Sequence, residues 1–440
     1  MMTSQLFRQR RERLLEQMPD KALAIIPAAS EVTRSRDTEY PFRQASDYWY
    51  LTGFNEPDGL LVLVKEGETG KSLLFNLPKD PEMETWTGIR LGQEKAPEVL
   101  GVDQAFPLQQ IDEQLSDLLG EASEVWLPLD NLALYQNYLN WRQGVRRKRK
   151  RSACLPDRLV DVASALAEMR LIKSDEEIAL MQKAVDISAA GHFRAMKASR
   201  PGAYEYQLQA ELEHEFAIQG AAAPAYASIV GSGANACVLH YIANQDALKA
   251  GDLVLIDAGA EYQGYAGDIT RTFPVDGHFT EAQKQLYELV LKANEEAIRQ
   301  AGPGTTLEAL HQSVLRVLTQ GLLELGILQG ELETLLEAEA YKPYFMHGTS
   351  HWLGLDVHDV GIYRIEGSAR PLQPGMVFTI EPGLYFPPDC EEVDPKWRGL
   401  GIRIEDDVLI TKQGCKVLSD QVPKTVAGIE SLMRGADAAA

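Results

Sequence analysis

Gly251-Asp-Leu-Val-Leu-Ile-Asp257-Ala-Gly259 and Gly375-Met-Val-Phe-Thr-Ile-Glu381-Pro-Gly383 are two renderings of one pattern. Each runs from a glycine through an apolar, β-prone stretch to a carboxylate and stops at a glycine. A second stretch of the same character follows each. After the first comes Ala266-Gly-Asp268-Ile-Thr-Arg-Thr-Phe273, and after the second Gly401-Ile-Arg403-Ile-Glu405-Asp-Asp-Val-Leu409. Apolar and β-branched runs bounded by glycine predict strands. The chain therefore predicts two strand pairs, one carrying Asp257 and Asp268, the other Glu381 and Glu405. Burying a carboxylate at a strand end is costly unless it is paired or binds a metal. Four of them in duplicated positions predict a carboxylate-rich site for two metal ions.

The helices around these strands repeat as well. Ser174 with Glu177 is a capping box that starts a helix running to about Ala198. Arg200-Pro-Gly-Ala-Tyr-Glu205 opens the next helix, and Ala301-Gly-Pro-Gly-Thr-Thr-Leu-Glu308 opens its counterpart. The second part of the chain thus reads as two similar α+β halves related by a pseudo-twofold, with the carboxylates converging near the axis.

Three of the eight histidines fall in His347-Gly-Thr-Ser-His351-Trp-Leu-Gly-Leu-Asp-Val-His358. Glycines there argue against one continuous helix and predict a strand or loop. A lone histidine is more often structural than a ligand. Three in twelve residues, bracketed by strand-end carboxylates, point to a site. His240 is a fourth candidate, and the residues alone leave its role open. Carboxylate and imidazole donors suit Mn²⁺ or a similar divalent ion better than thiolate-loving metals. Two such ions about 3.5–4 Å apart lower the pKa of a shared water from 15.7 toward about 7, making a nucleophile for an amide carbonyl.

The first part of the chain alternates strand-like and helix-like segments, which predicts an α/β domain. Ala22–Ile26, Gly59–Val64 and Leu73–Phe75 read as strands, and Glu66–Gly70 as a turn between two of them. Gln109–Leu119 and Asn131–Gln143 read as amphipathic helices. Arg146-Arg-Lys-Arg-Lys-Arg151 is a basic run whose bland reading is an exposed helix end. Gly70-Lys71-Ser72 lacks the first glycine of a phosphate loop, and Gly231-Ser232-Gly233 lacks the spacing of a nucleophile elbow.

The 440-residue chain carries 43 basic and 64 acidic residues, a formal net charge of −21. That excess argues against nucleic acid or an anionic membrane as a general partner. The first residues form no apolar signal core, and no apolar run is long enough to span a bilayer. Cys154, Cys237, Cys390 and Cys415 show no paired spacing and read as buried thiols of a reducing compartment, so the expected location is cytoplasmic.

Asp257, Asp268, His351, Glu381 and Glu405, with the phrases LVLIDAG, YAGDITRTFP, HGTSHWLGLDVHD, TIEPGLY and GIRIEDD around them, resemble the metal-binding set of the pita-bread metallopeptidases. The N-terminal TRSRDTEYPFRQASDYWYLTGFNEPDG resembles the creatinase/prolidase-type domain in its aminopeptidase P form. The resemblance covers nearly the whole chain. It implies a creatinase/prolidase-type α/β domain over residues 1–173. Residues 174–440 would form a pita-bread catalytic domain, α+β with a curved antiparallel sheet. It implies release of any N-terminal residue that precedes proline, with two Mn²⁺ per subunit, although Co²⁺ or Zn²⁺ would also fit. Asp257 would hold one ion, Asp268 and Glu405 would bridge both, and His351 and Glu381 would hold the second. Glu381 would also take the proton of the attacking water. His240 and His358 would contact the scissile peptide. Tyr226, His347 and Arg403 would wall the proline pocket. Trp86, read as lying in a loop, would cap the site from a neighbouring subunit of a homo-oligomer, tetramer or dimer. A tryptophan packed in the N-terminal core is the competing reading of Trp86. Tyr363–Arg370 departs from the family pattern, and Arg364 and Arg370 both compete for the place of a site-shaping arginine. The runner-up activity is that of a prolidase, which cleaves only Xaa-Pro dipeptides. A non-catalytic pita-bread binding module is the reading from another class, and five intact ligands weigh against it.

Overall fold

A computed structural model of the chain describes residues 2–152 and 154–435, and it divides into two compact units between Arg170 and Leu171. The first unit is built on a six-stranded mixed sheet. Its strands lie in the order Gln104–Pro107, Thr69–Asn76, Leu60–Glu66, Ala22–Pro27, Glu124–Leu127, Arg158–Asp161. Ala22–Ile26 is apolar at every position, which suits a central strand covered on both faces. It pairs antiparallel with Leu60–Glu66 and parallel with Glu124–Leu127. Leu23, Ile25, Val62 and Phe75 from the sheet pack with Leu115 and Trp141 from the helices Ile111–Leu119 and Leu132–Arg149.

Several boundaries differ from the sequence reading for local reasons. Leu108–Gln110 forms a 3₁₀ turn, so the first of those helices starts two residues late. The second runs on through Arg149 and takes in most of the basic run. Lys148 there lies 2.9 Å from Asp117, and Arg149 lies 3.1 Å from Glu121. Cations at a helix C-terminus also complement its dipole. Trp86 is not in a loop. Asp80 caps Pro81–Thr87 as a short helix, and Trp86 on it is 81% exposed, which rules out the core reading. The cysteines are all free, but they are not the buried thiols expected. Cys154 is exposed, and Cys237, Cys390 and Cys415 are half-buried, because they lie in surface turns and on the strand Gly414–Val417 at the end of its sheet.

The second unit repeats itself. One half has the helices Asp175–Ala198 and Glu205–Ile218 with the antiparallel strands Leu253–Ala258 and Ile269–Pro274. The other has the helices Glu281–Gln300 and Leu307–Glu324 with the antiparallel strands Val377–Ile380 and Asp406–Thr411. The capping box of Ser174 and Glu177 forms as the sequence predicts. The two halves meet where Thr270 bridges Glu405 across their inner strands. No helix among the described residues is long and apolar enough to cross a membrane.

Candidate active site

The duplicated strands bring their carboxylates to one place. Asp257 sits near the end of its strand, opposite Thr270. Asp268 stands one residue before the partner strand, and its N–H donates to Asp407 Oδ2 at 2.9 Å. Gly259 lets these two turns close up, since a Cβ there would lie 1.7 Å from the Gly267 carbonyl oxygen. Glu381 follows Val377–Ile380 directly, held by its N–H to the Thr349 carbonyl. Glu405 occupies the break before Asp406–Thr411, where Thr270 Oγ1 donates to its Oε2 at 2.7 Å. His351 Nε2 faces three of the four. It lies 3.4 Å from Asp268 Oδ2, 3.5 Å from Glu381 Oε1 and 4.0 Å from Glu405 Oε1. Ligand atoms of Asp268, His351 and Glu405 all fall within 4.8 Å of one another.

The electrostatics of this cluster ask for a cation. Burial pushes Asp268 above the usual carboxylate range. Burial does the same to Glu405, with Asp268, Glu381 and Asp257 adding to it. Glu381 is pushed up to about 7 by burial, against the pull of His351 and Arg403. Burial alone would lower His351, but its contact with Asp268 and the nearby carboxylates carry it up to about 9. Burial is the first cause of each carboxylate's upward shift, and a cation held among them would favour their charged forms. His351 Nδ1 is engaged by the Trp352 carbonyl at 3.0 Å, which fixes the tautomer and turns Nε2 toward the carboxylates, as in metal-binding histidines. The donor set of oxygens and one imidazole fits a hard or borderline divalent ion.

A cavity of about 660 Å³ opens over the cluster. Among the described residues that line it are Tyr226, His240, His347, His358 and Arg403, so the structure brings these expected residues to one wall system. Tyr226 sets its hydroxyl 2.6 Å from Asp257 Oδ1 and 2.5 Å from Asp268 Oδ1. Burial, then Asp257 and Asp268, hold that phenol well above its ordinary value. Arg403 Nη2 donates to Asp257 Oδ2 at 2.6 Å, and its Nη1 donates to Tyr385 Oη at 3.0 Å. Tyr385 Oη in turn lies 2.8 Å from His347 Nε2. Burial, then Arg403, lowers His347 to about 4. The His358 ring packs edge-on against His351 at 4.3 Å, and burial with His351 lowers its pKa. His240 stands exposed in the turn after the 3₁₀ segment Gly233–Cys237. Cys237 has its thiol pushed up to about 11 by burial, which makes it a poor nucleophile.

The sequence reading passed over some of these groups. Tyr385 links His347 to Arg403 but reads as one more core residue of a strand. Tyr363 lines the cavity and stacks on Trp352 at 5.3 Å. Asp407 receives the Asp268 N–H but follows two other acids and so looks redundant. Of the two competing arginines, Arg364 is exposed and pairs with Glu308 at 2.7 Å, and Arg370 is buried at the foot of the small hairpin. Neither is among the residues lining the cavity. Trp86 belongs to the other unit.

Residues 179–412 match the model of metallopeptidase family M24, and residues 7–126 match that of the aminopeptidase P N-terminal domain. The chain is 49% identical over 431 residues to the Xaa-Pro aminopeptidase of Escherichia coli strain K12, covering 98% of this chain and 97% of that protein. It is similar to the structure of E. coli aminopeptidase P with the inhibitor Pro-Leu, at 48% identity and a TM-score of 0.96, covering 99% of each chain. A zinc-substituted form of that enzyme in complex with product matches with the same identity, TM-score and coverage.

Proposed function

We propose that this chain, which belongs to metallopeptidase family M24, acts as a Xaa-Pro aminopeptidase that hydrolyses the bond between an N-terminal residue and a following proline. The observation that carries the reading is the convergence of Asp257, Asp268, His351, Glu381 and Glu405, from both halves of the repeat, on one open cavity. Residues 174–440 are assigned the chemistry, and residues 1–173 the N-terminal domain.

Asp257 would hold one ion, Asp268 and Glu405 would bridge, and His351 and Glu381 would hold the second. We assign two ions, manganese first, and the same donors accept Co²⁺ or Zn²⁺. When bound, such ions supply Lewis acidity and acidify a water toward a pKa of about 7. The side chains do the rest. Glu381 accepts a proton. Burial lowers the His358 pKa, and this ring, together with His240, offers a hydrogen bond to the peptide oxygen. Tyr226, His347 and Arg403 form the wall for the proline ring. Proline lacks an N–H, so a wall that asks for no backbone donor suits it. Trp86 is assigned to cap the site of a neighbouring subunit in a homo-oligomer, tetramer or dimer. Its exposed indole supports that role. The expected location is cytoplasmic, a reading that rests on four cysteines with no paired spacing.

The test compares rates on an Xaa-Pro dipeptide and on Xaa-Pro-Yaa tripeptides with Mn²⁺ added. An aminopeptidase releases the first residue from the tripeptides. Cleavage of the dipeptide alone would make the protein a prolidase, and no cleavage of either would leave a binding module.

A further inference from the structure

His240 is placed by its chain, since among the described residues no hydrogen bond holds its ring. The segment that carries it leaves the strand Ile229–Ser232, passes the turn Gly233–Cys237 and returns to the protein near Asp246. One side chain gathers that whole path. Glu205, the first residue of the helix Glu205–Ile218, has no exposed surface, yet its carboxylate accepts five hydrogen bonds. Oε1 accepts from the Ser232 N–H at 2.7 Å, the Ser232 hydroxyl at 2.9 Å and Asn235 Nδ2 at 3.0 Å. Oε2 accepts from the Tyr241 hydroxyl and the Asp246 N–H, both at 2.9 Å. The Glu205 N–H also donates back to the Asp246 carbonyl at 3.0 Å. All these partners lie between Ser232 and Asp246, and Tyr241 is the direct neighbour of His240. A negative side chain in the first turn also suits the helix dipole.

A buried carboxylate is costly unless its hydrogen-bonding capacity is filled. Here it is filled entirely by one segment of loop. Asn244 adds a second anchor, donating to the Ser228 carbonyl at 2.7 Å and accepting from the Val230 N–H at 3.0 Å. Leu239 and His240 are left facing the cavity between these ties.

We propose that Glu205 is a positioning residue for His240: its carboxylate fixes the segment from Ser232 to Asp246 and so sets where the imidazole meets the peptide. This rests on the assignment of His240 to the scissile peptide. Misplacing a reacting group by about 1 Å can cost about 10²-fold in rate.

The test uses the full-length, metal-loaded protein and its Glu205→Gln, Tyr241→Phe and His240→Asn variants, with each of the first two also combined with His240→Asn. kcat and KM on an Xaa-Pro-Yaa tripeptide, metal content and Tm are measured for all. Glu205→Gln is expected to lower kcat by up to about 10²-fold with metal content unchanged. It is expected to add no further kcat loss in the His240→Asn background. Tyr241→Phe removes one of the five bonds and should act in the same direction more weakly. It carries the test if Glu205→Gln does not fold. A merely structural glutamate would lower Tm and leave kcat of the folded fraction at the wild-type value, which overturns the proposal. Losses that multiply with that of His240→Asn overturn it too. A His240→Asn enzyme at wild-type kcat instead removes the premise, a separate and recognisable result.

Discussion

Glu381 is assigned in the proposed function the two roles that one carboxylate at a strand end can hold, donor to a cation and acceptor of a proton. Its backbone N–H is tied to Thr349, and Thr379 Oγ1 lies 3.4 Å from its Oε1, so the side chain is aimed without depending on charge. Glu381→Gln is expected to keep the fold, seen as an unchanged circular dichroism spectrum, and to lose about 10²–10⁴ in kcat. A variant with most of its kcat would place the base elsewhere. His192 makes a different kind of prediction. It is fully buried, its Nε2 donates to the Ala258 carbonyl at 3.0 Å, and its Nδ1 has no partner among the described residues. Burial pulls it from 6.5 down to about 4. As pH falls, the unfolded chain takes the proton first. This group therefore costs nothing above pH 6.5, and stability falls between pH 6.5 and about 4 by about 3 kcal/mol in all. His192→Gln should flatten Tm against pH in that window. An unchanged slope would show that other groups govern the acid loss.

Among the elements, the segment from His347 to Gly361 forms no helix or strand of its own. It carries His347, His351 and His358, and residues 349–353 within it run antiparallel along Val377–Ile380, with Trp352 bridging Phe378. The Leu353 N–H reaches the Val377 carbonyl, and Thr379 meets His351 from the same strand. Beneath it, Lys173 Nζ lies 3.0 Å from Asp359 Oδ2, each side chain only 1% exposed. Removing one partner of a buried ion pair typically costs about 3–5 kcal/mol. Lys173→Met should show such a loss in urea unfolding. Lys173→Met combined with Asp359→Leu should lose less than the single change. A double variant at least as unstable would mean that the pair is not the main tie. Neither residue stood out in the sequence. Lys173 only precedes a capping box, and Asp359 only follows a histidine, because a contact across 186 positions leaves no local mark.

At the scale of the whole molecule, an acidic chain concentrates buried acid at one point where its two halves meet. Divalent ions held at that point would favour the folded chain over the unfolded one and so stabilise it by mass action. Treatment with a chelator should abolish activity and lower Tm, and titrating Mn²⁺ back should raise Tm with its concentration. A Tm indifferent to chelation would mean that the carboxylates hold no ion. Trp86, on the surface of the other unit, tests assembly. Exposed side chains away from special features change stability little, within about 0.5 kcal/mol. Trp86→Ala should therefore leave Tm in place and raise KM for tripeptides, and dilution to monomer, followed by sedimentation, should have the same effect. A normal KM in both cases would remove the cap.

The duplicated glycine-to-carboxylate strands, the paired helix starts and the histidine-rich loop were legible in the chain because each is a local pattern of period, turn and cap. The family resemblance and the five ligand-type residues rested on the same short phrases. What those phrases could not contain was the way the pieces meet. That Tyr385 joins His347 to Arg403, that Glu205 gathers the His240 segment, that Asp407 braces Asp268 and that Trp86 lies on the surface all depend on contacts between residues far apart in sequence or on burial. Local propensity fixes where strands and helices begin. Burial and long-range hydrogen bonding decide which polar side chains become partners, and only the folded chain specifies those.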